Sequence, residues 1–562
     1  MIYVEHETRP TFEPPAPWAR LETSRHVVFW IGHIYTDGLV SGRPTIERLA
    51  RDLLDRPLKA IAAELHGVFG LFVFDKANTT WSAMVDNAGL YKLYRDDRAV
   101  CSSFLELVAM RSTSRTISRS HLVEYLAQGQ IYGGATLIDG VFKIALDEIV
   151  ELRGPSSVVI VKKSLPTTAS YDERRFLAHM RNLLSSCANQ KISIDITGGY
   201  DTRLLLVLLD SMGADYELAI SGWPGAADVR IAQEIAKTLG RSLFVTWHRW
   251  TDLPRELLEC FHRADGQLDP VHFHRDYRNA AARLDRGVEI VVHGGAGGHY
   301  KDHFFLHDFP WYGSRRIRFD RFYDWRITPV RWPKQLLTDE AWALLQEARD
   351  RTIARFEAYR ATTNNESYDR AAFFVCDAES FGGHLCAYTN MGLKVAAPFL
   401  DYQNMLMCFA IPPWDRFMTR WHRRLITATN PKVAKIVTTE NYTASTLPED
   451  RVRNVIGYLG PQIRRVAKKI GQRMLGKSMF FKIGAPACDD PAFRPAVRAT
   501  ELFEDAVKRL EAIGVLRPNV KPEEVREHHV PAVLNAGLLL RWLEGGGPRR
   551  VDGRRAEPVK GE

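Results

Sequence analysis

The sequence predicts an α/β chain in two parts, a β-rich N-terminal part and a helix-rich part built on a parallel sheet. Three observations predict it. Alternating apolar segments at Val27–Trp30, Val68–Phe74 and Trp81–Val85 are separated by turn residues, as half-buried strands are. Further along, apolar strands alternate with helical patterns, which is how a parallel sheet is written. Where that alternation begins, the run Ile192-Ser193-Ile194-Asp195-Ile196 stops at Gly198-Gly199, and Leu204-Leu205-Leu206 follows at once. This reads as a buried strand, a tight turn and a helix N-terminus.

At 562 residues the chain exceeds one hydrophobic core and suits two or three domains. Its 45% hydrophobic and 25% charged residues are those of an ordinary globular protein. No apolar run approaches the ~18 residues that span a bilayer, and the N-terminus lacks a signal-peptide layout, so the expectation is a cytoplasmic enzyme. The 7 cysteines are scattered, with neither a zinc spacing nor a disulfide framework, and buried reduced thiols are expected. A net charge of +9 points to an anionic partner, a role that nucleotide alone can fill.

In chain order, the β-rich part contains one helical segment, from about Pro44 to Leu65. A helix from Asp172 to Cys187 then leads into the Gly-Gly loop. That loop is chemically an anion site: glycine backbone approaches a phosphate closely, the first helix amides point at it, and Thr197 and Thr202 add hydroxyls. Asp201 suits a magnesium ion carried by the phosphates rather than the phosphates themselves. Further strands are expected at Tyr216–Ser221, Leu243–Trp247 and Val288–Val292, with a helix from Val229 to Leu239. Ligands of such sheets sit at the carboxyl ends of the strands, where this loop lies.

The hexapeptide Thr197-Gly198-Gly199-Tyr200-Asp201-Thr202 resembles the pyrophosphatase loop, Ser-Gly-Gly-x-Asp-Ser, of ATP pyrophosphatases such as the asparagine synthetases. It is not a Walker loop, because no Lys follows the glycines. Other phrases are similar to the same family in the same order. Gly67–Asp75 and Val85–Tyr94 resemble a strand and a hairpin of the class II amidotransferase domain that forms the N-terminal half of asparagine synthetase. Val395-Ala396-Ala397-Pro398-Phe399-Leu400-Asp401 resembles the family's Val-x-x-Pro-Phe-Leu-Asp.

The resemblance implies a class II amidotransferase-like domain over residues 1–165 and a synthetase domain of the PP-loop ATP pyrophosphatase type over 170–450. A basic helical extension over 451–544 and a disordered tail over 545–562 complete the expected layout. It implies ATP and Mg²⁺ as cofactors, with nucleotide contacts at Ile196, Thr197, Gly198, Gly199, Tyr200, Asp201 and Thr202. Ser221 and Gly222 would meet adenine, and His293 and Gly294 would open a second pyrophosphate-side loop. Asp201 and Asp302 are the candidate metal ligands. Arg423, Arg424 and Glu379 form the candidate catalytic set, with an arginine standing where the family places a phosphate-binding Lys.

The departures are as informative as the matches. Position 2 is Ile where a class II glutaminase has its nucleophilic Cys, and Ile31 replaces a residue of its oxyanion hole, so no glutamine hydrolysis is expected. In the second loop the family's Asp falls on Gly298 and its Glu on His299. The reading that follows is an ATP-dependent synthetase that adenylates a carboxylate and lets an amine displace AMP. Its alternatives are an asparagine synthetase fed by ammonia and a nucleotide-binding scaffold without turnover. The run from 451 to 482, with Arg464, Arg465, Lys468, Lys469, Arg473 and Lys477, is either a solvated helix face or a docking surface for an anionic or membrane-borne acceptor. No RNA-binding module accompanies the loop, so nucleic acid is not an expected partner.

Overall fold

The computed structural model describes residues 1–5, 8–111, 116–153, 157–439, 442–460 and 490–545. The N-terminal half carries strands β1 (Tyr3–Glu5), β2 (Ala19–Glu22), β3 (His26–Tyr35), β4 (His66–Asp75), β5 (Thr80–Val85), β6 (Tyr94–Arg95), β7 (Ala99–Cys101), β8 (Phe142–Lys143), β9 (Glu148–Arg153) and β10 (Ser157–Lys162). They form a six-stranded antiparallel sheet in the order β10-β9-β5-β4-β3-β2 and a small sheet β1-β7-β6-β8. One face of the larger sheet, with Val28, Phe69, Leu71 and Val73, packs on Ile46 and Leu49 of the helix Arg43–Asp52. Phe29, Phe72 and Trp81 on the other face share a core with Ile2, Val4 and Val100 around the small sheet. All of β3 is therefore buried, on both faces, and it runs longer than the alternating stretch Val27–Trp30 predicts. The single helix expected from Pro44 to Leu65 is two pieces, broken before Pro57, whose ring cannot continue a helix.

The second half is built on a parallel sheet of β11 (Ile192–Asp195), β12 (Tyr216–Gly222), β13 (Leu243–Trp247), β14 (Ile290–Val292) and β15 (Lys394–Ala396). Their order is β13-β12-β11-β14-β15, with Ile194 facing both Leu218 and Val292. The chain moves outward from β11 through β12 to β13, then returns to the opposite side of β11 for β14 and β15. Direction reverses between β11 and β14, and loops leaving their carboxyl ends open a crevice there. β15 is not among the sequence-predicted strands. It is three residues long and reaches the sheet only through pairing with β14.

The two halves are welded by polar contacts across a shared core. His33 Nε2 lies 2.9 Å from Ser186 Oγ, the Tyr91 hydroxyl donates to Asn390 Oδ1 at 2.7 Å, and Lys92 Nζ donates to Ala378 O at 2.7 Å. The C-terminal helices are part of this body. Val530–Glu544 is buried along most of its length and packs with the helices Glu501–Ala512 and Arg119–Gln128 in one cluster. The basic stretch singled out in the sequence lies mostly outside the described residues, as does the tail beyond 545. No helix among the described residues is long and apolar enough to cross a membrane.

Candidate functional site

The loop after β11 runs from Ile196 to Tyr200, and Asp201 opens the helix Asp201–Ser211. Local sequence explains its shape. Gly198 is wedged: a Cβ there would lie 2.5 Å from Thr439 Cγ2 and 2.9 Å from Asp228 Oδ1, and its own N–H donates to that Oδ1 at 2.7 Å. Gly199 faces open space, with only Thr197 Oγ1 near a hypothetical Cβ, at 3.4 Å. The Thr197 and Thr202 hydroxyls are 3.2 Å apart, and Thr202 Oγ1 also accepts the Thr197 N–H. Behind the loop, buried Arg203 donates to the carbonyls of Ile436, Val433 and Gly198, which fixes the helix start to the chain around 433–437. Burial lowers its guanidinium pKa to about 10, still high enough to keep the charge.

The second loop, after β14, presses against the first. A Cβ at Gly294 would be 2.5 Å from Thr202 Cγ2, and one at Gly297 would be 2.0 Å from Asp201 Cγ. Only glycine allows this approach. Ala296 turns the chain into it with a left-handed φ of 63°, a strained conformation for alanine. A second strained pair, Met418 and Thr419, both at φ 55°, launches the helix Arg420–Thr429, which carries His422 into the same crevice. Strain of about 1–3 kcal/mol per such residue persists where the surrounding structure over-determines it, and functional sites are where it collects.

Asp201 is the electrostatic centre. Lys301 Nζ donates to its Oδ2 at 2.8 Å, and His422 Nε2 lies 2.9 Å from its Oδ1. Burial alone would raise the Asp201 pKa; the Lys301 and His422 contacts more than offset this and hold it well below the usual carboxylate range. His422 is fully buried, and desolvation pushes its own pKa down in spite of Asp201. The ammonium of Lys301 also stands 5.6 Å from the Tyr200 ring centre. Sequence reasoning missed both Lys301 and His422, because nothing in their spacing marks them as partners of Asp201. A Lys four residues beyond Gly297 was the available signal.

The other sequence-predicted residues fall in different places. Ser221 and Gly222 end β12, next to the strand bearing the first loop, and Gly222 O accepts the His248 N–H. His293 caps its own loop, its Nδ1 accepting the Gly295 N–H at 3.1 Å. Asp302 turns into the protein: its Oδ2 accepts from the hydroxyls of Tyr312 and Tyr458 at 2.9 and 2.7 Å. The structure thus pairs Asp201 with Lys301 and not with Asp302, because Asp302 is a buried acceptor already satisfied by two phenols. Burial raises its pKa against those two bonds.

His299 is likewise turned inward. It lies 2.5 Å from Asp377 and 3.6 Å from Asp369, and Arg416 donates to both Asp369 and the His299 carbonyl. Asp377 ends a π-helical stretch, Ala372–Asp377, set into an otherwise α-helical segment. Burial would lower the His299 pKa, yet Asp377 and Asp369 carry it up to about 9.

The expected catalytic set is dispersed. Arg424 is at the surface, paired with Glu173. Arg423 is buried and donates to the carbonyls of Ser445 and Met418, which makes it a brace for the loop that carries His422. Glu379 sits against the N-terminal half, 2.7 Å from Lys143 Nζ and 3.4 Å from Lys92 Nζ, beside a cavity of about 40 Å³. None of the three is paired with Asp201, whose partners are the Lys301 ammonium and the His422 imidazole.

No protein-family model and no curated protein matches the chain. Among solved structures, an NMN synthetase from Francisella tularensis aligns over 36% of this chain and 93% of its own, at 12% identity and a TM-score of 0.19. A glutamine-dependent NAD⁺ synthetase from Acinetobacter baumannii, in complex with adenosine diphosphate, aligns over 34% of this chain and 43% of its own, at 14% identity and a TM-score of 0.18. Likenesses of that size carry no argument about this chain.

Proposed function

We propose that this chain is an ATP-dependent, amide-forming synthetase that adenylates a carboxylate, releases pyrophosphate and passes the acyl group to an amine without hydrolysing glutamine. One observation carries the reading: at the strand-order reversal, two glycine loops abut with Asp201, Lys301 and the Thr197 and Thr202 hydroxyls between them. The donor set fits a polyphosphate. Gly199 leaves room for close approach, the hydroxyls and the helix start donate, and Lys301 supplies positive charge. It fits magnesium less completely, because Asp201 is the only carboxylate of the two loops aimed there and its two oxygens already face the Lys301 ammonium and the His422 imidazole. Phosphate oxygens and waters would fill most of that ion's shell, as is usual for Mg²⁺.

The chemistry follows from leaving groups. Carboxylate oxygen does not leave, whereas AMP does; Lys301 and the Thr197 and Thr202 hydroxyls offset charge building on departing pyrophosphate, and a magnesium ion held at Asp201 would add to that compensation. Absence of glutaminase activity is inferred from Ile31, which offers no hydrogen bond to an oxyanion, and from Ile2, whose side chain is packed into the core. A second reading, a nucleotide-binding scaffold, draws on the same salt bridge: an Asp201 neutralised from within needs no metal.

Pyrophosphate release with ATP and Mg²⁺ across a panel of carboxylates tests the two. Turnover that Asp201→Ala abolishes is the expected result. ATP binding without pyrophosphate release from any acid would favour the scaffold, and steady glutamate release from glutamine would sink the glutaminase-inactive part.

A further inference from the structure

A separate cluster lies where the two halves meet. His66, the first residue of β4, His179, on the helix Glu173–Ser185, and Asp401, just before the helix Tyr402–Phe409, converge from distant parts of the chain. All three are buried, and one ligand-type atom of each lies within 4.8 Å of the others. His179 Nε2 is 2.9 Å from Asp401 Oδ1, and His66 Nδ1 is 3.5 Å from Asp401 Oδ2. Two donors on one tetrahedral zinc, each ~2.0–2.1 Å from the ion, stand about 3.4 Å apart, so the observed separations straddle that spacing.

We propose that His66, His179 and Asp401 bind a zinc-class divalent cation that staples the β-rich half to the parallel-sheet half. The division of labour within Asp401 supports this. Its Oδ1 caps the following helix by accepting the N–H groups of Gln403 and Asn404, while Oδ2 faces His66 Nδ1 at 3.5 Å. Two imidazoles and one carboxylate are a zinc set; magnesium and calcium take oxygen donors. On its far side His179 Nδ1 has the carboxylate of Asp37 3.9 Å away, beyond hydrogen-bond reach but of the sign that favours a ligating imidazole.

The surroundings point the same way. Tyr35 packs against His66 with ring centres 5.3 Å apart and the rings tilted by 31°, and its hydroxyl, fully buried, has no protein hydrogen-bond partner. Buried hydroxyls are almost always satisfied, and a water completing the ion's fourth position is a suitable partner. The staple also reaches the crevice. Phe399, two residues before Asp401, packs on Tyr300 and on His422, the neighbour of Asp201. A cation here would set the wall of that crevice without taking part in its chemistry, and the proposal holds whether or not the ATP reading does.

The full chain, stripped with chelator, resupplied with zinc and dialysed, should retain one zinc per chain by mass spectrometry. Cobalt in its place should show the visible bands of a tetrahedral nitrogen and oxygen site. His66→Gln and His179→Gln should each lose at least tenfold in metal affinity, while Glu173→Gln on the same helix keeps it. Because the histidine variants could fail to fold, the unmodified chain supplies an independent measure: chelator should lower its Tm by about 3 °C or more and zinc should restore it. A chain that retains under a tenth of an equivalent and whose Tm ignores both reagents overturns the proposal. So does a folded double variant that binds zinc as well as the unmodified chain; a metal-free His179–Asp401 ion pair is then the correct description.

Discussion

Gly297→Ala gives the sharpest test of how the two loops are built. The new Cβ would stand 2.0 Å from Asp201 Cγ and 2.3 Å from its Oδ1. Carbon atoms in ordinary contact are about 3.5–4.0 Å apart, so the loops must separate by roughly 1.5 Å or Asp201 must leave its rotamer. Over-packing of this kind costs about 1–3 kcal/mol. Leaving the rotamer also breaks the contacts of Asp201 with Lys301 and His422, so the variant should unfold at lower denaturant with an unchanged m-value. A displacement near 1 Å in a positioned group lowers turnover by about a hundredfold. Gly199→Ala is the control with the opposite signature. Its Cβ meets nothing closer than 3.4 Å, so stability should hold while ATP affinity falls, since the methyl group stands where phosphate would approach. Urea denaturation and ATP titration calorimetry on both variants decide the matter. A Gly297→Ala protein as stable as its parent, or a Gly199→Ala protein that binds ATP normally, would refute the reasoning about the corresponding loop.

Lys301→Met should reduce kcat/KM for ATP by roughly tenfold to a hundredfold, the worth of about 1.5–3 kcal/mol for a hydrogen bond to a charged group, with Arg424→Met unchanged beside it. For pH, the sign follows from His299. Its folded pKa, about 9, is above the ordinary 6.5, so its contribution is fully present below pH 6.5 and is lost as pH rises through 9. The groups facing it are Asp377, Asp369 and Arg416. Denaturant curves from pH 6 to 10 should therefore show a loss of up to roughly 3 kcal/mol that His299→Gln lacks, and parallel curves for the two proteins would exclude this role.

The strand-loop-helix unit around Gly198 was readable in the sequence because its signals are local: a β-branched run, two glycines and a leucine run follow one another. The same holds for β4, β5 and β12 to β14. Helix Val530–Glu544 was harder, since apolar residues on every face give no periodicity to read. The three candidate catalytic residues lie apart for another reason. Residue type and order along the chain single out Arg423, Arg424 and Glu379, but a helix turns adjacent residues about 100° apart, which sends Arg423 inward to Ser445 and Arg424 outward to Glu173.

By itself, then, the sequence determined the two kinds of sheet, the position of the glycine loops and the identity of Asp201 as the charged group between them. Only the tertiary structure decided whom each charge meets. It gave Asp201 to Lys301 and His422, Asp302 to two tyrosines, His299 to Asp377, and Asp401 to His66 and His179. The physical reason is that backbone patterning is written in neighbouring residues. A buried charge must instead find a partner in space, and that partner is chosen by which distant segments the packed core brings together.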